Sequence, residues 1–295
     1  VRKLSTGLAL LVLAGSGGCA GRTAGTPAAP EPSQTSTGTA NLVPDGYTGR
    51  FRIVATVLEN AEHGPQLCTG VEDSLPPQCG GPDVAGWAWT GLRYESAAGT
   101  RWGSYLLVGT FDGRVFRMTE PPKVNDGSLN PQPRIPDFTS PCPVPSGGWR
   151  PVDPARATDN ALQTANAVAS AEPDFAGLWL DQKQPPDNGR TAANDPTKLV
   201  LNVRFTTELR RHETDIRRVW GGALCVSGAE HTIAELTRIQ QDLGHEPGSL
   251  VSSIDVVTGT VRVEVFAPTQ SRQRELDARY GPGLVVLTGA LEPID

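Results

Sequence analysis

The C-terminal half of the chain can be read twice in the same order, and that repetition limits what it can fold into. Residues 155–171 (ARATDNALQTANAVASA) predict a helix, and 175–181 and 198–205 predict two strands. Residues 208–220 follow as a helix with Leu209, Ile216 and Trp220 at helical spacing. A short strand at 223–226 closes the set. The order then returns. Residues 233–243 predict a helix with Leu236, Ile239, Gln240 and Leu243 along one side, and 250–257 and 260–266 form a hairpin across Thr258-Gly259. A helix at 271–280 and a strand at 284–288 complete it. Asp181 and Asp255 close equivalent first strands, and Gly221-Gly222 and Gly281-Pro282-Gly283 end equivalent helices, where left-handed caps are expected. Each half is α-β-β-α-β, so residues 155–295 predict a duplicated α+β domain.

Residues 48–120 have a different character. The run 52–58 (RIVATVL) is rich in β-branched residues and lacks helical spacing. Phe111-Asp112-Gly113 lies between the runs 105–110 and 114–118, and Asp-Gly between apolar runs is a strong hairpin signal. Pro76-Pro77 and Gly80-Gly81-Pro82 exclude a helix between them and the strands. Four or five strands closing into a small all-β barrel or compact sheet, OB-like in architecture, is the expectation. Trp87 and Trp89, two residues apart, share one face if they lie on a strand. They then either line a ligand or partner surface or fill the core of a domain with few other large side chains.

Five cysteines are present. Setting Cys19 aside leaves Cys68, Cys79, Cys142 and Cys225, an even set that suggests two disulfides in an exported chain. Three pairings are open; Cys68 with Cys79 is favoured by proximity, which leaves Cys142 with Cys225. The second bond would staple the proline-rich connector 121–154 onto the C-terminal domain. Zinc held by His63, Cys68 and Cys79 is the alternative for the first pair, without a fourth ligand or CxxC spacing. Otherwise neither metal nor cofactor is expected.

The N-terminal stretch carries an address. Arg2 and Lys3 precede an apolar run over 8–14, which ends in Ser16, Gly17, Gly18 and Cys19. A run this short falls well below the roughly 20 apolar residues that a membrane-spanning helix needs. The segment resembles a bacterial lipoprotein signal, with Ser16 where leucine is usual. That resemblance implies a leader over 1–18 and lipidation of Cys19, by a palmitate-type acyl chain. It also implies a membrane-anchored protein on the extracytoplasmic face. An ordinary secretory leader with an incidental cysteine is the alternative. Residues 19–47 are mostly Ala, Thr, Ser, Gly and Pro, and predict a disordered tether with a reach of about 30 Å. The net charge is −6, and removing 1–18 takes away two bases and no acid. With no Lys/Arg cluster, nucleic acid is not an expected partner.

Within the duplicated domain, the order of Thr232-Ile233-Ala234-Glu235-Leu236, Ser253-Ile254-Asp255 and the strand from Gly259 to Val265 resembles the pro-region of α-lytic-type secreted bacterial proteases. In that family the region is a folding chaperone and tight inhibitor of the protease that follows. The resemblance covers roughly 155–295, and no protease follows in this sequence. It implies a fold and a binding role, and no catalytic residue.

No HExxH, P-loop, GxSxG or GxGxxG occurs. The histidines are His63, His212, His231 and His245. Glu230-His231 lies near Ser227, which lacks a nucleophile's strand–elbow–helix context. His231 with Glu235 makes only part of a metal site, and reads better at the start of a helix whose N-cap is Thr232. His212 and Glu213 lie in the charged run 210–218, which reads as a solvated helix face. The expectation is a non-enzymatic, lipid-anchored envelope protein that binds protein or peptide. A hydrolase with a site near Trp87 and Trp89, and a purely structural surface lipoprotein, are the alternatives.

Overall fold

Apolar residues alternate in Phe51–Glu59, and this strand, β1, buries Phe51, Ile53, Ala55 and Val57 on one side. The fold was obtained as a computed structural model, which describes residues 41–130, 136–182, 195–244 and 248–294. The leader, Cys19 and the tether up to residue 40 lie outside the described residues.

The first module is a closed five-stranded barrel. Its strands are β1, β2 (Gln66–Cys68), β3 (Asp83–Ala85), β5 (Thr100–Phe111) and β6 (Val115–Met118), with the short β4 (Glu95–Ala97) paired to β5. Neighbours run β1-β2-β3-β6-β5, and β5 closes back on β1 along the whole of that strand, from Phe51 opposite Gly109 to Glu59 opposite Arg101. The β3–β6 pair is parallel and the other closing pairs are antiparallel. Asp112 shapes the β5–β6 turn by accepting from the amides of Arg114 and Val115 at 3.0 and 2.8 Å. Gly109 is required here: a Cβ would strike the Arg117 carbonyl and the Phe116 ring.

Two sequence expectations change at this module. The tether expected up to residue 47 ends sooner, because Val43 is buried, and its amide donates to the Pro268 carbonyl at 2.9 Å. The barrel also recruits strands outside 48–120: β7 (Lys123–Val124) pairs with β5, and β14 (Glu292–Pro293) pairs with β1.

The first α+β unit comprises α1 (Asp159–Ser170), β8 (Phe175–Asp181), β9 (Val200–Phe205), α2 (Leu209–Val219) and β10 (Ala223–Gly228). Strand order is β10-β9-β8, with β8 antiparallel and β10 parallel to β9. Leu201, Val203, Phe205, Ile216 and Trp220 are buried together under the helices, and Ala165 and Ala169 let α1 approach closely. The other face of this sheet is covered by the connector. The Phe138 carbonyl accepts from Trp179 Nε1 at 3.1 Å, and Ser140 donates through N and Oγ to Asp181 at 2.9 and 3.2 Å. Cys142 is bonded to Cys225, and Trp149 packs on the same patch. Being covered on both sides, β9 is buried at every position but Arg204, including the polar Asn202.

The second unit comprises α3 (Ile233–Leu243), β11 (Ser249–Asp255), β12 (Thr260–Val265), α4 (Gln270–Tyr280) and β13 (Val285–Gly289). Its strand order is β11-β12-β13, antiparallel then parallel, over a core that includes Leu236, Val263, Leu276 and Leu287. Thr232 and Glu235 form a reciprocal capping box at the start of α3. Gly281 ends α4 with φ +111° and ψ 148°, a conformation open to glycine but distinct from the expected left-handed cap. Gly221 and Gly222 serve otherwise than expected, since neither takes a left-handed φ. A Cβ on Gly221 would strike the Asp153 carbonyl, and one on Gly222 would strike the Trp220 ring, so close approach demands them.

Arg204 on β9 bridges the two units. Its Nε and Nη2 donate to the Gly228 carbonyl at 3.1 and 3.0 Å, and Nη1 donates to the Val257 carbonyl at 2.8 Å. Burial pulls its pKa down, against the pull of Glu230 and Asp255. No described helix is long and apolar enough to cross a membrane.

Candidate functional site

The four cysteines other than Cys19 are bonded as Cys68–Cys79 and Cys142–Cys225, with Cα separations of 5.9 and 5.8 Å. Both sulfurs of the suggested zinc site are therefore consumed, and His63 has no thiolate to share. The first bond braces the loop between β2 and β3, and the second fastens the connector to β10.

Trp87 and Trp89 do not lie on a strand. Gly86 turns the chain at φ +84° after β3, and both indoles fall in the following loop. They meet edge to face at 5.1 Å, and Tyr105 contacts them at 4.9 and 6.3 Å. Trp89 Nε1 donates to Glu59, and the Arg101 guanidinium lies over the Trp89 ring at 5.5 Å. This is a packed corner of the barrel core.

His212 overturns the expectation of a solvated helix face. It is 1% exposed, stacked on Phe205 at 3.7 Å and 6°, with Nε2 2.9 Å from Asp174 Oδ2. For an ionised Asp174 to accept, that nitrogen must carry the proton. The Thr207 hydroxyl donates to the same oxygen at 2.7 Å. Burial pushes the Asp174 carboxyl up, but the bonds from Thr207 and His212 outweigh it and hold the carboxyl below its ordinary value. Asp174 Oδ1 is buried with no partner among the described residues. Glu172 completes a set of three donors within metal-binding distance of one another. Arg211 takes the cation's place. Its Nη2 lies 2.7 Å from Glu172 and 3.3 Å from His212 Nε2, while Nε and Nη1 reach Glu208 and Asp215 at 2.8 and 3.3 Å. A metal would have to displace a guanidinium with three carboxylate partners, so the cluster fits a structural clasp between α2 and the α1–β8 turn.

Of the remaining sequence candidates, His231 precedes α3, with Nδ1 3.8 Å from Glu235. Ser227 sits within β10 and has a buried Oγ without a partner among the described residues.

Sequence reasoning did not single out the groove along β11. A hollow of about 530 Å³ separates β11 from the loop closed by Cys68–Cys79. Glu72, Asp73 and Glu264 line it, and no Lys or Arg does among the described residues. Val71 and Val251, 44% and 60% exposed, supply apolar surface on opposite walls. Among the described strands β11 pairs with β12 alone, and a bulge between Ser249 and Val251 twists it at the groove. Gln240 Nε2 donates to the Ser252 carbonyl at 2.9 Å. The available signal was the unalternating run 249–254, which presents no charge along an edge strand. No protein-family model matches the sequence, and no curated protein matches it.

Proposed function

We propose that this chain is a non-enzymatic, lipid-anchored protein of the extracytoplasmic membrane face that binds extended segments of protein partners. The observation that carries the binding role is the groove between β11 and the disulfide-braced loop. It combines an edge strand, the exposed Val71 and Val251, and carboxylates with no Lys or Arg beside them among the described lining residues. An extended peptide laid there gains main-chain bonds from an edge and side-chain contacts at alternate positions. Glu72, Asp73 and Glu264 favour a partner with Lys or Arg. The two disulfides support export to an oxidising compartment, and the lipobox-like end at Cys19 supports an acyl anchor.

Finer readings of the fold support the same role. The barrel is OB-like, because a β1-β2-β3 meander is followed by a parallel β3–β6 pair and closed by β5 on β1. The α+β units share element order and pairing sense, which we read as an internal duplication akin to the protease pro-region. In that family such a module binds a protein.

Two measurements test this. Intact mass of membrane-extracted protein should show diacylated Cys19 at the N-terminus and four thiols only after reduction; an unlipidated chain sinks the anchor. Panning a random decapeptide library on the oxidised chain should enrich sequences with Lys or Arg and alternate apolar residues. The Glu72→Gln/Glu264→Gln variant should lose that preference. Failure to enrich any sequence would remove the peptide-binding role.

A further inference from the structure

A second hollow, of about 300 Å³, lies where the barrel meets the second α+β unit. Its floor is the core of that unit: Leu243, Val263, Leu276 and Leu287, each at most 3% exposed. Phe111 at the end of β5 and Phe266 after β12 form a wall, with ring centroids 5.6 Å apart. Interiors rarely leave a void larger than one water. This space has the volume of about ten waters, yet its floor offers them no polar partners. It has the character of a small-molecule pocket at a module junction.

The polar groups at its mouth indicate the charge of what enters. Among the described residues Arg272 is the one ionisable side chain in the lining, and its Nη1 is held by Glu275 at 2.7 Å. Thr269, the N-cap of α4, also lines it, but the helix's first amides are already taken. Gln270 N donates to the Val43 carbonyl at 2.9 Å, Ser271 N to Asp45 at 3.2 Å and Arg272 N to Thr269 Oγ1 at 3.2 Å. Asp45 thus already supplies the negative charge that a helix start attracts. An entering anion would meet a compensated cation and a resident carboxylate.

From these observations we infer that the cavity binds a neutral, compact apolar molecule. Scaling from a 150 Å³ cavity that holds benzene, its size suits about twelve heavy atoms. The body of the ligand rests against the half-buried Phe111, Val265, Phe266 and Ala267, above the leucine floor, and any hydroxyl or ether oxygen lies towards Thr269. This site is separate from the peptide groove, although Phe266 borders both.

The test is fluorescence titration of the oxidised chain with 1-aminonaphthalene, a probe of matching size that is neutral at pH 7 and whose emission changes in apolar surroundings. Saturable one-to-one binding with Kd on the order of 10 µM is expected for a ligand of that size. 1-Decanol should displace the probe, and decanoate of the same chain length should do so at least tenfold less well. Ala267→Phe and Val265→Phe each fill the cavity and should weaken probe binding at least tenfold, with thermal melts identifying which of the two is folded. Non-saturating fluorescence, or unchanged affinity in a folded filling variant, would overturn the site. Equal displacement by decanoate would overturn the neutral ligand.

Discussion

The two α+β units have the same element order and strand pairing, yet β9 and β12 are opposites. β9 reads VLNVRF and is buried at every position but Arg204, whereas β12 reads TVRVEV and buries only Val261 and Val263 fully. The difference lies in what covers the second face of each sheet. The connector lies across the first sheet and is bonded there through Cys142–Cys225. The second sheet turns Arg262 and Glu264 outwards on that face, and its edge strand borders the groove. One topology thus yields a clamped unit and an open one, and the burial of the central strand records which is which.

The largest expected effect comes from unclamping the first unit. Cys142→Ser/Cys225→Ser opens a loop spanning 83 residues, and Cys68→Ser/Cys79→Ser opens one spanning 11. Chain entropy predicts losses of about 4–5 and about 3 kcal/mol respectively. Urea unfolding of both pairs should preserve that order; equal losses would mean that the connector does not clamp the sheet.

Next is His212→Ala, which strips the ring from Phe205 and leaves the half-buried Asp174 with one partner fewer. A loss of about 2–4 kcal/mol is expected. A loss under about 0.5 kcal/mol, the usual limit for a surface site, would return His212 to a solvated face.

Arg204→Met then breaks the bridge between the units, leaving the Gly228 and Val257 carbonyls without it. About 1.5–3 kcal/mol should be lost, and Arg204→Lys should recover little, because one ammonium cannot span both sets. Full recovery by lysine would show that charge alone matters there.

Acid should weaken both units. Burial raises Asp174 and Asp255, but hydrogen bonds from Thr207 and His212 in one, and from Thr258 and Arg262 in the other, bring each below its ordinary 3.8. The unfolded chain then binds more protons, so stability is held above pH 3.8 and falls as pH drops through the folded values. Asp174→Asn and Asp255→Asn should each flatten that acid limb in chemical-denaturation curves taken between pH 5 and pH 2; unchanged slopes would contradict the depressed values. Smallest of all, Glu72→Gln/Glu264→Gln should change stability by no more than about 0.5 kcal/mol while altering peptide selection.

Much of this contrast was legible in the sequence. Asp112-Gly113 marked the barrel hairpin, Thr232 and Glu235 the start of α3, and the cysteine count two bonds whose pairing followed from proximity. Misreadings came where an environment is set by distant chain. His212 sits at the spacing 209, 212, 216 and 220, on the buried stripe of α2, but its charged neighbours obscured that position. Its partner Asp174 lies 38 residues away. Trp87 and Trp89 had the spacing of one strand face, and Gly86 ended the strand before them. The pairing of β14 with β1 joins residues 240 apart, beyond any local pattern, and the groove and cavity arise only when the modules meet.

Amide hydrogen exchange, followed by mass spectrometry on the oxidised chain with and without a peptide enriched by panning, tests the contrast most directly. The account predicts slow exchange across β9 in both states. In β11 it predicts fast exchange in the unliganded chain and marked slowing once peptide is bound. Equal protection of β9 and β11 in the unliganded chain, or a peptide that slows exchange elsewhere and leaves β11 unchanged, would contradict it.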